Sequence, residues 1–340
     1  MKNNILFSII IPMFNCEKTI NKTIKSVLNQ TYENFELILI DDGSKDETLN
    51  TISKYCNDSR ITVIKKENEG VSSTRNKGLD IANGDYIMFL DADDYYDHSL
   101  LMTLFDLLSN NKIDLLKFGY YKETKNGLLK RKYHFCTITN KIIEKREFNK
   151  LVFPNIFASY DFNPVWNCAI SKKCIKNIRF DSNLITAEDL DFVTSVISNV
   201  SNIYILDIPL IHYIHSQQSI TRSSNLEKSL KKFECQIISY NKIKEKYNKY
   251  FDDIQVNKRI YSDFCSLLYE FIVKADSYND YKNMLEKYKI VELYAELIKN
   301  IDISLNMNIK DNIIFSGKYF RRIKQKSKMN KFKNTILNRL

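Results

Sequence analysis

The feature that most limits what this chain can fold into is the alternation, through its opening part, of short β-branched runs with segments of helical spacing. Ile5–Ile11 reads as a strand stopped by Pro12, and Glu17–Asn29 as a helix with Ile20, Ile24, Val27 and Leu28 on one side. Phe35–Ile40 is a second strand, ending at Asp41-Asp42-Gly43-Ser44. Asp46–Tyr55 reads as helix, Ile61–Ile64 as a short strand, and Val71–Ala82 as a helix opened by Gly70. The run Tyr86–Leu90 closes the series. Strands alternating with helices at this spacing require right-handed crossovers and a parallel sheet. Near-continuous apolar strands are those buried on both faces. The predicted class is therefore α/β, a mostly parallel sheet flanked by helices.

Such a sheet binds ligands beyond the carboxyl ends of its strands. Here that edge collects Pro12 to Asn15, Asp41-Asp42, and Asp91-Ala92-Asp93-Asp94. The last group places three carboxylates within four residues, which repel one another unless a positive charge neutralises them. A hard divalent cation, Mn²⁺ or Mg²⁺, does this while keeping a phosphate as a further ligand. Taken alone, the same stretch reads equally well as an acidic turn capping a helix that begins near Ser99. No Gly-x-Gly-x-x-Gly follows the first strand, and no Gly-x-x-x-x-Gly-Lys-Ser/Thr occurs, so dinucleotide and P-loop chemistry fit poorly.

Five blocks in order carry a family resemblance: Ser8-Ile9-Ile10-Ile11-Pro12-Met13-Phe14-Asn15, Ser26-Val27-Leu28-Asn29-Gln30-Thr31-Tyr32, Ile40-Asp41-Asp42-Gly43-Ser44-Lys45-Asp46, Glu67-Asn68-Glu69-Gly70-Val71-Ser72-Ser73-Thr74-Arg75-Asn76 and Phe89-Leu90-Asp91-Ala92-Asp93-Asp94. They resemble the family 2 glycosyltransferases of the Rossmann-like GT-A fold, inverting enzymes of bacterial surface-polysaccharide synthesis. The resemblance spans roughly residues 5–220 and fades beyond. It implies a UDP-sugar donor. The uracil would lie against Pro12, Met13, Phe14 and Asn15, with Asp42, beside Asp41, accepting from the ring N–H. Asp91 and Ala92 would face the ribose, and Asp93 would coordinate a Mn²⁺ or Mg²⁺ bridging the phosphates, with Asp94 close by. Glu17, Arg75 and Asn76 match positions lining the nucleotide pocket.

The segment 111–224 holds the acceptor-side candidates. Trp166, the one tryptophan, precedes Thr186-Ala187-Glu188-Asp189-Leu190-Asp191-Phe192. In the family a Glu-Asp pair before an aromatic residue carries the catalytic base, a role that falls on Asp189, with Glu188 on the acceptor side. In-line displacement at the anomeric carbon calls for a carboxylate opposite the departing UDP to take the acceptor's proton. By spacing alone Thr186-x-x-Asp189 is also close to a capping box opening an Ala187–Ile197 helix. Trp166 reads either as a platform for an acceptor sugar or as a core aromatic. After a strand at Ile203–Leu206, the resemblance implies a histidine that completes the metal shell. His212 and His215 are not separable by sequence, and His215 is taken here.

Six of the seven glycines fall at or before Gly127 and no proline follows Pro209, so the last third is expected to be helical. The predicted layout is a nucleotide-sugar-binding half (1–110), an acceptor-side half (111–224), a C-terminal helical extension (225–314) and a basic amphipathic tail (315–340). Of the net charge of +10, nine basic residues lie between Lys318 and Arg339 with no acid after Asp311, so the body is close to neutral. A tail of this kind suits an anionic membrane surface, or else a solvated end. A basic nucleic-acid binder is the reading from another class, but the charge is confined to the tail and no nucleic-acid motif accompanies it. A catalytically silent scaffold on the same fold is disfavoured by the intact carboxylates. Seven cysteines, none in a Cys-x-x-Cys pair, argue against a disulfide framework and a zinc site. With no run of about 20 apolar residues and no cleavable leader pattern, the expected location is the cytoplasm, at the inner face of the membrane where the tail engages it. The expected partners are the UDP-sugar and a glycan or lipid-linked glycan acceptor.

Overall fold

The computed structural model describes residues 4–124, 127–131, 138–151, 162–214, 225–248, 253–293 and Arg321. They divide into two compact units, one holding 1–222 with 241–250, the other 223–240 with 251 onward.

The first unit is built on one sheet. Strand β1 (Phe7–Met13) is almost wholly buried, as a β-branched run covered on both faces must be. It pairs in parallel with β2 (Phe35–Asp41) and β4 (Tyr86–Phe89), and β2 pairs in parallel with β3 (Ile61–Lys65). Helices α1 (Ile20–Leu28), α2 (Thr48–Ser53) and α3 (Val71–Ile81) make the crossovers. On α1, Ile20, Thr23, Ile24 and Val27 face the core at the three- and four-residue spacing of an amphipathic helix. The expected parallel sheet is what these segments form.

Beyond β4 come β5 (Tyr95–Tyr96), α4 (Leu100–Asn110), β6 (Leu115–Thr124), β7 (Gly127–Arg131), β8 (Ile142–Glu144), α5 (Lys145–Leu151), β9 (Cys168–Ser171), α6 (Lys172–Ile175), α7 (Glu188–Ile197) and β10 (Asn202–Ile214). The spatial order is β3-β2-β1-β4-β9-β6-β10-β5. β9 runs antiparallel to both β4 and β6, while β6 and β10 are parallel, with register shifts around Pro209. Proline has no N–H for the ladder, which explains the bulge there.

Because β1, β2 and β4 are parallel and in register, Met13 lies opposite Asp41, and Leu90 N–H reaches Ile10 C=O. The loops after these three strands therefore leave the sheet on one rim. α3 lies close against β1: a Cβ on Gly78 would stand 2.4 Å from Ile10 Cγ2. In the second unit, the first part of α8 (Leu226–Tyr247), α9 (Asp253–Lys274) and α10 (Tyr278–Lys287) bury Phe264, Leu268, Phe271 and Tyr281. No described helix is long and apolar enough to cross a membrane.

Candidate active site

The loops after β1 and β2 are fastened to one another mainly through short polar side chains. Asn15, held at φ 49°, donates its N–H to Ser44 Oγ and accepts from Lys45 N–H through Oδ1. Cys16 N–H donates to Thr48 Oγ1, and the Glu17 carboxylate accepts the Glu47 N–H. Asp42 N–H donates to Met13 C=O, which locks the exit of β2 to that of β1. Phe14 projects at 45% exposure, while Met13 and Asp41 are buried and Pro12 is half-buried. Asp41 turns back to accept from Ser44 N–H.

Asp42 is more heavily engaged than a free base-recognition group. Its Oδ1 accepts from Lys66 Nζ at 2.6 Å and Glu69 N–H at 3.0 Å, and its Oδ2 from Gly70 N–H at 2.9 Å. Burial works against its charge, but Lys66 and the two amides hold its pKa below the usual carboxylate range. One lone-pair direction remains for a ligand N–H. The Gly70 amide is available because Gly70 sits at φ 91°, ψ 168°, a region that side chains rarely enter.

The acidic turn after β4 is pinned from α1, where Thr23 Oγ1 lies 2.9 Å from Ala92 C=O and 2.7 Å from Asp94 C=O. It does not cap α4; Asp97 accepts the Ser99 N–H at that helix start instead. Asp94 is buried, its Oδ1 accepts from Ile214 N–H at 2.8 Å, and its Oδ2 is buried with no partner among the described residues. Burial and the neighbouring Asp91 and Asp93 charges push Asp94 well up, and burial with Asp91 pushes Asp93 up to about 6. Asp93 and Asp94 have no cationic partner among the described residues and suit a hard cation. Among the described residues no three His, Cys, Asp or Glu gather closely enough to hold a metal alone. A cation here would take further ligands from a diphosphate and water.

Arg75 links this rim to the acceptor-side candidates. One helical turn before Gly78 on α3, it is 3% exposed and packs over Phe180. Its Nη1 donates to Asp189 Oδ1 at 2.7 Å and lies 3.4 Å from Glu188 Oε1; its Nη2 donates to Asp91 Oδ1 at 3.0 Å. Burial alone would disfavour the guanidinium, but the charges of Asp189, Asp91 and Glu188 raise its pKa further. Asp189 Oδ2 accepts the Val165 N–H at 3.2 Å. Burial and the Asp189 charge lift Glu188 to about 7, and burial raises Asp189 despite Arg75.

α7 begins without the capping box that Thr186-x-x-Asp189 suggests. Its N-cap is Ala187, at φ 64°, whose side chain offers no cap, and the Asp189 carboxylate is engaged by Arg75 and the Val165 amide. A left-handed alanine costs about 1–2 kcal/mol, and it stands immediately before the two acids that face Arg75. Both also lie where the helix dipole favours negative charge.

Three expected site residues have other surroundings. Asn76 makes both its amide bonds with the main chain of Phe180, joining α3 to the segment ahead of α7. Trp166 is 8% exposed, stacked on Tyr213 (5.4 Å, 5°) and edge-on to Tyr120, so it presents little free ring to a sugar. His212 is held between Tyr95 and Tyr121, with Nδ1 3.1 Å from Glu123 Oε1. His215 lies outside the described residues.

A family model described as glycosyl transferase family 2 matches residues 8–175. The uncharacterized glycosyltransferase EpsJ of Bacillus subtilis (strain 168) is 31% identical over 247 residues, covering 69% of this chain and 70% of EpsJ. The chain belongs to glycosyl transferase family 2. This family 2 glycosyltransferase is also similar to the poly(ribitol-phosphate) beta-N-acetylglucosaminyltransferase TarP of Staphylococcus aureus (strain N315). TarP is 33% identical over 201 residues, covering 57% of this chain and 58% of TarP. Among solved structures, S. aureus TarS 1–349 in complex with UDP-GlcNAc superposes with a TM-score of 0.65 at 19% identity, covering 94% of this chain and 88% of that one. That likeness carries the fold, which is GT-A as expected.

Proposed function

We propose that this glycosyltransferase moves a sugar, a hexose or an N-acetylhexosamine, from a UDP-sugar to a hydroxyl of a glycan or lipid-linked glycan acceptor. It does so with inversion, in the synthesis of a bacterial surface polysaccharide. The observation that carries this reading is the Arg75 clasp, which joins Asp91 of the rim to Glu188 and Asp189 of α7. Inverting transfer needs a proton acceptor held opposite the leaving group. A carboxylate fixed by a guanidinium on one oxygen and an amide on the other has the set orientation that such a role requires, which supports this reading. Asp189 takes the acceptor proton, Glu188 stands on the acceptor side, and no covalent intermediate is required.

The donor half is 1–110 and the acceptor half 111–224, followed by the helical extension and the basic tail. On the donor side, the main chain of Pro12–Asn15 and the remaining lone pair of Asp42 bind the uracil. Asp91 and Ala92 bind the ribose, and Glu17 supports the pocket wall. The likeness to TarS, whose complex contains UDP-GlcNAc, supports a UDP-sugar donor. The likeness to TarP, a poly(ribitol-phosphate) glycosyltransferase, supports the surface-glycan setting. The uncompensated Asp93 and Asp94 fit a Mn²⁺ or Mg²⁺ ion, with Asp93 the direct ligand. When bound, that ion supplies positive charge to the diphosphate leaving group.

The test is UDP release from a panel of UDP-sugars with Mn²⁺ in the wild type, Asp93→Ala and Asp189→Asn. Turnover is expected in the wild type and at most traces in the two variants. Equal turnover in all three overturns the mechanism.

A further inference from the structure

Lys117 is a residue that the chemistry above does not use. It sits on β6, between Leu116 and Phe118, and like both of them it is 0% exposed. Burying an ammonium in a sheet core is costly unless every proton finds a partner. Here Nζ has three acceptors: Pro164 C=O at 2.8 Å, Asn167 Oδ1 at 2.9 Å and Cys168 Sγ at 3.0 Å. Three acceptors match the three donors of an ammonium. Among the described residues no ion pair to a carboxylate involves it, so its positive charge is not cancelled locally. An apolar side chain of similar volume would serve the sheet at least as well. Its presence therefore points to something other than packing.

All three acceptors belong to the short stretch 164–168, which leads into β9 and includes its first residue, Cys168. The same segment is laced to β6 twice more: Phe118 N–H donates to Asn167 C=O, and Asn167 Nδ2 to Phe118 C=O. Within it lies Val165, whose N–H donates to Asp189 Oδ2.

We propose that Lys117 is a positioning residue for the transfer reaction. It anchors the turn 164–168 so that the Val165 amide holds Asp189, and it supplies buried positive charge behind that carboxylate. The proposal rests on Asp189 being the proton acceptor. The groups facing Asp189 are Arg75 from α3, Asp91 from the end of β4, Glu188 beside it on α7, Lys117 from β6 and Cys168 from β9. Burial raises Asp189, Arg75 lowers it, Asp91 raises it, and the Val165 amide and Lys117 lower it. Cys168 stays a thiol because burial pushes it up. Lys117 thus acts in the same direction as Arg75, but from β6 and not from α3.

Lys117→Met keeps the length and removes the charge and donors. The expected result is a kcat lower by at least about ten-fold, with KM for the UDP-sugar and thermal stabilisation by UDP with Mn²⁺ unchanged. The acid limb of the kcat–pH profile should move to higher pH, because loss of a nearby cation raises a carboxylate's pKa. A purely structural lysine would not move that limb. Asn167→Asp is the second variant: it keeps Lys117 but pairs it with a carboxylate, and the acid limb should again move up. Should Lys117→Met fail to fold, the Asn167→Asp profile decides. Wild-type kcat and pH profile in Lys117→Met, or an unmoved limb in Asn167→Asp, overturns the proposal. Asp189→Asn is run alongside. If it is inactive while Lys117→Met is unaffected, only the role of Lys117 falls; if Asp189→Asn turns over normally, the assignment of the base falls and this proposal with it.

Discussion

Arg75 has an acidic partner on each side, and its removal has two separable effects. Arg75→Met leaves Asp91, Glu188 and Asp189 without their counter-charge in a largely buried setting. Breaking a buried ion pair by deleting one partner typically costs about 3–5 kcal/mol, so a clear fall in the urea midpoint is expected together with loss of turnover. Retention of the wild-type midpoint would show that the clasp carries no such energy. Glu188 offers a pH test of the same cluster. Its folded pKa, about 7, lies above its ordinary value of 4.5, so the folded state binds the proton more tightly than the unfolded one. This contribution to stability is fully present below about pH 4.5 and is lost as pH rises through about 7. The urea midpoint of the wild type relative to Glu188→Gln should therefore decline over that window, and a flat difference would contradict the assignment. All four residues were legible as candidates through the family resemblance, but their pairing was not, because Arg75 stands 16, 113 and 114 residues from its partners.

At the scale of elements, α3 sets the clasp because it lies flat on β1. Gly78 permits the contact, since a methyl there would meet Ile10 at 2.4 Å in a side chain that is itself fully buried. Gly78→Ala should destabilise by about 1–3 kcal/mol through overpacking, measurable by thermal or chemical unfolding. Turnover should fall as well, because Arg75 is carried on the turn before. An unchanged midpoint would mean that α3 can lift without consequence. The strands that frame this helix were legible in sequence because they are β-branched, apolar and bounded by Pro, Gly and Asp. On the other side only part of β10 was legible, as the run Ile203–Leu206. β5 has two residues and β9 four, too few to show a period, and β6 has a lysine where a continuous apolar run would have announced it. The start of α7 misled for a different reason. Thr186 and Asp189 have capping-box spacing, but the N-cap is Ala187 and the Asp189 carboxylate is taken by Arg75 and the Val165 amide.

Across the whole molecule, charge is distributed unevenly. Nine of the basic residues lie from Lys318 to Arg339, with no acid after Asp311. On the proposal that this tail meets an anionic membrane, deleting Lys318–Leu340 should abolish co-sedimentation with vesicles rich in anionic lipid and leave UDP release from a water-soluble acceptor intact. Binding by the full chain should weaken as salt is raised, at about 1 kcal/mol per basic residue near the surface. Equal sedimentation of both forms, or binding of the full chain to neutral vesicles, would sink the idea.

Thr23 brings a single hydroxyl hydrogen within reach of two peptide oxygens, those of Ala92 and Asp94. Only one can receive it fully at any moment, so the loop that carries Asp93 rests on a fork with two prongs. Because those two oxygens stand on either side of Asp93, a single threonine on α1 grips both shoulders of the loop that carries it.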